Sequence, residues 1–502
     1  MLKKESKQKD FFDSYVYDRL LPKKHILLDI KNCVDFSFVS EETKDLYSKT
    51  LGRPSFPPEV LFKILFLEFF HNLSDYEVVD QVKTNILFRY FAGLGISSST
   101  PDHATLAVFR KRLGEERFKR LFDRIVIGAK EKGLIEGKLK ILDSTHMRAN
   151  IAVQSAVNLL KQGKRMVVKR IEKIDPKEAE SLKAKYITKE EHYDPPKEKE
   201  MEEELAITRR FIDETKDKFH TNDIKEMIEL LEKAFGQQHR KSTLPDHKEP
   251  DELVTFTDKD ARRGAKSKTK KILGYKAHVS MDEGSNIVTS ARTIPGNTNE
   301  GNKDETKDLL DEDKDKDIKH EAVAADSLYD SYDNRKNIRS QNMRAFITTR
   351  HAKHKTNLDR FIYDSKNDTL ICQEGYSPIG KSKQTNNGDL FFFSAKVCGK
   401  CPRSQSCVKM DRGRVKIFVS NKYRLSILDN VPERQEAFVK RKSIERKFGE
   451  AKVWHKLDKA RYRERSRVAI QVLMTFIVLN AKRMAGLLAP APEYALCKTG
   501  FG

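Results

Sequence analysis

The stretch 438–452 reads FVKRKSIERKFGEAK, and the rest of the chain is organised around it. Taken as one helix, it puts Phe438, Arg441, Glu445 and Lys452 within an arc of roughly 60° at about 100° per residue. Ala437, Ile444, Phe448 and Ala451 form an apolar stripe immediately beside them, as a helix laid on a sheet needs. One carboxylate is thereby presented between two cations at the edge of a buried face. A surface helix steadied by an Arg–Glu pair, worth about 0.2–0.5 kcal/mol, has the same pattern. Gly449 inside the helix costs about 0.5–1 kcal/mol relative to alanine, which suggests that something approaches the backbone there.

Composition names a class of partner. The chain has 502 residues, with 97 lysines and arginines against 75 acids, a net charge of +22. That excess fits a polyanion, foremost nucleic acid, although a merely basic cytosolic protein has the same total. The opening MLKKESKQKD is polar, so no signal peptide is expected. The longest apolar runs, 60–70 and 468–479, are short and contain Lys63, Glu68 or Gln471, so no membrane span is expected. Six cysteines make no disulfide scaffold at this length, and the chain reads as cytosolic.

Taken in order, residues 1–48 are a lead-in with little signal. Residues 49–136 read as a helical DNA-binding domain. Pro57 and Pro58 open a run with Val60, Leu61, Ile64 and Leu65 on one face. Ser74 and Glu77 form a capping box, with Leu73 and Val78 placed as a staple. A run after Asp102 carries Leu106, Phe109 and Leu113 and stops at Gly114, and another helix covers about 116–132. Arg110, Lys111 and Arg112 suit a DNA-reading bundle, and a plain helical bundle fits as well.

The segment 137–150, GKLKILDSTHMRAN, reads as a buried strand through Leu139, Ile141 and Leu142 with Asp143 at its end. Residues 151–250, rich in Lys and Glu, read as an inserted helical hairpin. In 251–350, a basic loop (Arg262, Arg263 and 266–271) leads into strands 275–281 and 287–293, joined at Asp282-Glu283-Gly284. A solvated acidic run, 311–317, precedes a short strand, 322–325, that ends in Asp326. A further strand covers 344–350.

Residues 351–430 read as a β-rich insertion with strands at 361–363, 369–372, 390–393 and 415–419. The spacing of Cys372, Cys398, Cys401 and Cys407, with a C-x-x-C at its centre, resembles a tetrahedral zinc site. Reduced spectator thiols are the plain alternative. Residues 431–486 hold the opening helix, a basic segment with Trp454 and an apolar helix at 468–484. Residues 487–502 are a tail.

Two strand-end aspartates and a helix glutamate can converge at one edge of a mixed sheet. Such an oxygen-rich set suits Mg²⁺ or Mn²⁺, and a pair of these ions can serve in-line attack on phosphorus. Arg441 and Lys452, beside Glu445, would then hold the DNA backbone.

At this point the chain resembles a DDE transposase of a bacterial insertion sequence. LDSTHMRAN is similar to the family's first-aspartate strand, and AADSLYDS to its second, including the tyrosine three residues after the acid. The opening stretch resembles the signature Y-x2-R-x3-E-x6-K, with Phe438 in place of the tyrosine. GRPSFPPEVL in the helical region and the four-cysteine insertion are similar to one branch of the family. The resemblance implies an RNase H-like α/β core of residues 137–150, 251–350 and 431–486, a mixed sheet flanked by helices and interrupted by both insertions. It implies Asp143, Asp326 and Glu445 as catalytic acids that bind Mg²⁺ or Mn²⁺, while the cysteine spacing leads us to expect a structural Zn²⁺ on Cys372, Cys398, Cys401 and Cys407. Arg441, Lys452, Arg110, Arg112 and Trp454 are the expected contacts to double-stranded DNA. A homodimer or higher multimer would cut transposon ends and join them to target DNA. A nuclease with the same core but no strand transfer, and an inert domesticated DNA-binding protein, are the alternatives.

Overall fold

The computed structural model describes residues 11–48, 52, 54–152, 154–187, 198–244, 249, 251–265, 269–349, 360–384, 387–404, 407 and 414–489. Part of the expected basic loop (266–268) and most of the tail (490–502) therefore lie outside the described residues. The first region holds α1 (Phe11–Leu20), α2 (Ile26–Cys33), α3 (Phe38–Thr43), α4 (Pro58–His71), α5 (Asp75–Thr84), α6 (Ile86–Ala92) and α7 (His103–Glu131). Helix α4 starts on Pro58, where the missing N–H is not needed. Both bonds of the Ser74–Glu77 capping box open α5. Gly114, at φ 64° and ψ −179°, interrupts α7, a conformation open to glycine and closed to most residues. The lead-in contributes more than its sequence suggests, because Leu27, Ile30, Phe36 and Val39 are buried.

The next region begins with β1 (Leu139–Arg148), followed by α8 (Ala156–Ile171), α9 (Pro176–Tyr186), α10 (Glu198–Thr215) and α11 (Asn222–Thr243). These four helices replace the expected hairpin and close on a core of their own around Leu160, Leu182, Phe211 and Leu231. The chain then returns through β2 (Arg262–Ala265), β3 (Lys271–Asp282), β4 (Ile287–Pro295), α12 (Lys303–Asp315), β5 (Ala322–Ala325), α13 (Tyr332–Ser340) and β6 (Arg344–Ile347).

Strand β3 is antiparallel to both β1 and β4, while β1, β5 and β6 run parallel. The order is thus β4-β3-β1-β5-β6, with β2 pairing the first residues of β3 beyond β4. This is an RNase H-like mixed sheet. Its hairpin strands are buried on both faces, and β3 alternates apolar Tyr275, Ala277, Val279 and Met281 with the equally buried Lys276, His278, Ser280 and Asp282. The run 311–317 is a correction: most of it is the end of α12, and Asp313 is fully buried rather than solvated. Its carboxylate stands 2.6 Å from Lys140 of β1 and accepts from Ser290 of β4.

The second insertion comprises β7 (Phe361–Asp364), β8 (Thr369–Cys372), β9 (Gly380–Gln384), β10 (Gly388–Ser394), α14 (Ala395–Gly399), β11 (Arg414–Ser420) and α15 (Asn421–Leu428). It packs around Leu370, Phe391, Phe393 and Ile417. Strand β9, GKSKQ, carries no apolar alternation and was not expected.

Helices α16 (Glu433–Arg441), α17 (Ser443–His455) and α18 (Arg465–Leu488) complete the chain. By length and apolarity α18 could cross a membrane, but its most apolar stretch is 89% buried, packed on β4, α2, α4 and α7. Asn480 on α18 accepts from the Val288 N–H and donates to the Val288 carbonyl, satisfying both backbone groups of that β4 residue. One hydrophobic core therefore runs from Leu27 through the sheet to Ala485.

Candidate active site

The site starts from strand register. Leu139 lies level with Ala322 and Ile141 with Ala324, so continuing the parallel register brings Asp143 level with Asp326. Neighbouring strands are about 4.8 Å apart. Asp326 directly follows β5, as expected. Asp143 differs, because β1 continues against β3 to Arg148; the acid sits where the parallel neighbour stops, not where its own strand ends. The Asp326 carboxylate accepts from the Leu328 N–H at 2.8 Å, capping a short 3-10 turn, Ser327–Tyr329.

The opening stretch is not one helix. It breaks at Lys442, so Arg441 closes α16 while Glu445 lies in the first turn of α17. The apolar stripe holds across the break: Ala437, Ile444, Phe448 and Ala451 are all buried. The Arg441 guanidinium donates to Asp143 Oδ2 at 3.3 Å, so this cation, expected on the DNA backbone, is paired with the first acid. Burial raises the Asp143 carboxyl to about 6, against the Ser144 N–H and Arg441, with Asp326 and Glu300 adding to the rise.

Asp143, Glu445, Gly449 and Lys452 line a groove of about 1110 Å³. Arg148, Arg263, Lys270, Lys271 and Lys459 line it too, gathered from β1, the β2–β3 hairpin and the segment after α17. Arg148 is also paired with Asp458. A methyl group at Gly449 would meet open space, which agrees with backbone exposed to the groove.

Two expected DNA contacts lie elsewhere. Arg110 is buried, paired with Asp75 through both terminal nitrogens and with Glu68 at 3.1 Å; this knot joins α7 to α4 and α5. Trp454 is 69% exposed but lies about 180° around α17 from Glu445, on the flank away from the groove. Arg112 is exposed, its guanidinium 4.8 Å from the centre of the Tyr47 ring.

The three acids offer hard oxygen donors, which suit a divalent cation in kind. The four thiols line one cavity with Phe361 and Phe393. Among the described residues, no group of three or more His, Cys, Asp or Glu side chains is set closely enough to hold a metal ion. Sequence reading missed Glu300, a buried carboxylate paired with Lys276 and within electrostatic reach of Asp143. It also missed His278, whose Nε2 is 2.9 Å from the Tyr329 hydroxyl. Glu300 sits in a polar loop with no periodicity to mark it.

The RNase H-like sheet thus sets two acids on adjacent parallel strands, beside a helix glutamate and a basic groove. Residues 15–112 match the family model "Transposase domain (DUF772)", and residues 371–485 match "Transposase DDE domain". Both matches are to transposase domains, and together they support a DDE transposase of the insertion-sequence type. Glu445 falls inside the second match; Asp143 and Asp326 lie outside both. No solved structure matches the chain.

Proposed function

We propose that this transposase binds double-stranded transposon ends in its basic groove and cuts and joins them with Asp143, Asp326 and Glu445. The observation that carries the reading is the groove itself, which exposes Asp143 and Glu445 between cations from three separate segments. Lys452, Arg263 and Lys271 would hold the phosphate backbone, and Arg441 would steady Asp143 until the acids take up Mg²⁺ or Mn²⁺. Those ions, when bound, supply the Lewis acidity that in-line attack on phosphorus needs. The arrangement of two ends and one target calls for a multimer.

The test is nicking of a labelled transposon end with Mn²⁺, run beside gel-shift binding, for Asp143→Asn, Asp326→Asn and Glu445→Gln. Each should lose nicking and keep binding, because the amide keeps the shape but removes the charge that holds metal. Wild-type nicking by any one of them removes that residue from the set. Joining of the cut end to target DNA separates a transposase from a nuclease with the same core.

The cysteines support a second assignment, a structural Zn²⁺ on Cys372, Cys398, Cys401 and Cys407. Its support is the single cavity that all four thiols line, where Cys372, Cys401 and Cys407 all act electrostatically on Cys398. About one zinc per chain in purified protein, lost in Cys398→Ser, is the expected result.

A further inference from the structure

The turn that carries Asp326 is fastened from several directions. Leu328 carbonyl oxygen sits so close to Gly301 that a Cβ there would come within 2.0 Å of it. Asn334 of α13 donates to the Gly301 carbonyl at 2.7 Å and to the Tyr329 carbonyl at 3.1 Å. Glu300, next in the chain, pairs with Lys276 of β3. The Tyr329 hydroxyl and His278 Nε2 are 2.9 Å apart, and Tyr329, His278 and Asn334 are all fully buried.

The place of the Tyr329–His278 bond in the sheet is what matters. Tyr329 follows β5, and His278 is on β3 level with Ser144, the residue after Asp143. The sheet order puts β1 between those strands, so the bond reaches across the strand that carries Asp143. It ties the Asp326 turn to the far neighbour of β1 and fixes both acids against one frame. Burial pushes His278 down to about 3, so the bond joins two neutral groups and keeps its character across the working pH range.

We propose that Tyr329 and His278 are positioning residues that hold Asp326 in register with Asp143; this rests on reading those two acids as catalytic. Nothing in their placement brings them to the DNA, so they act through Asp326. A small misplacement of a reacting group can cost about 100-fold in rate.

The experiment measures kcat, KM for a labelled DNA end, the pH profile and the melting temperature. The variants are Tyr329→Phe, the double variant Tyr329→Phe/His278→Leu, and Asp326→Asn as reference. Tyr329→Phe should lower kcat roughly 10- to 100-fold with KM and the shape of the pH profile unchanged. The double variant removes the orphaned ring nitrogen, so its melting temperature should return toward wild type while kcat stays low. Recovery of kcat together with melting temperature, or a wild-type kcat in Tyr329→Phe, overturns the proposal. Wild-type nicking by Asp326→Asn overturns the reading of the acids instead, whatever Tyr329 does.

Discussion

The guanidinium of Arg441 stands 3.3 Å from a carboxylate oxygen of Asp143, 298 residues earlier in the chain. Its charge opposes the burial that lifts this carboxyl to about 6. Removing it therefore raises the pKa further, and Asp143 ionises only at higher pH. In Arg441→Gln, the acid limb of kcat/KM for nicking should move upward by on the order of one pH unit. An acid limb that stays where it is would show that Arg441 acts on the DNA alone.

The groove cations should register as counterion release. Each phosphate contact removed lowers the slope of log affinity against log salt by about 0.9. Lys452→Ala and Arg263→Ala should each reduce the slope by about that much and weaken binding to all sequences alike. Trp454→Ala, on the opposite flank of α17, should leave the slope unchanged. Titrations from low to physiological salt decide the matter.

Arg110 should behave as a structural residue. Burial pushes Glu68 up to about 8 even with Arg110 and Arg461 beside it, so the knot leaves little margin for losing a cation. Arg110→Ala should cost about 3–5 kcal/mol of stability and leave the salt slope of DNA binding intact. Arg112→Ala, an exposed change, should stay within about 0.5 kcal/mol of wild type. Denaturant midpoints set beside binding curves distinguish the two.

Asp313 gives a signed dependence on pH. Burial alone would raise its pKa, but Lys140 and Lys316 outweigh it and bring the group from 3.8 down to about 2. A depressed carboxyl contributes stability that is present above the unfolded value and disappears as pH falls toward the folded one. Stability should therefore drop between about pH 4 and pH 2. Asp313→Asn, which leaves the buried Lys140 unpaired, should lose about 3–5 kcal/mol at neutral pH and flatten that drop. Melting temperature against pH for both proteins is the measurement.

Local chemistry was legible in the sequence, and partners were not. The capping box at Ser74, the break at Gly114, the β3–β4 hairpin and four strands of the cysteine insertion each follow from neighbouring residues. The interruption at Lys442, where the backbone stays helical but its bonds tighten to three residues, has no glycine or proline to announce it, so Arg441 and Glu445 were assigned to one helix when they belong to two. Arg110 looked like its neighbours Lys111 and Arg112, because a string of cations does not say which of them meets Glu68 and Asp75. Glu300 and His278 were missed for the same reason. Their meaning depends on Lys276, Tyr329 and the register of β3 against β1, which join distant parts of the chain.

The single core shared by α2, α4, α7 and α18 puts a clock on the active site. Helix α18 is made more than 300 residues after α7 ends, tens of seconds later at about 5–20 residues per second. Until it arrives, the apolar faces of the early helices and of β4 have no cover, and Glu445 has only just been made. A ribosome-bound fragment thus holds both aspartates long before it holds a finished catalytic centre. On the proposed function, cutting would wait until synthesis has passed α18, and a copy truncated before that helix should be inert because its frame is open.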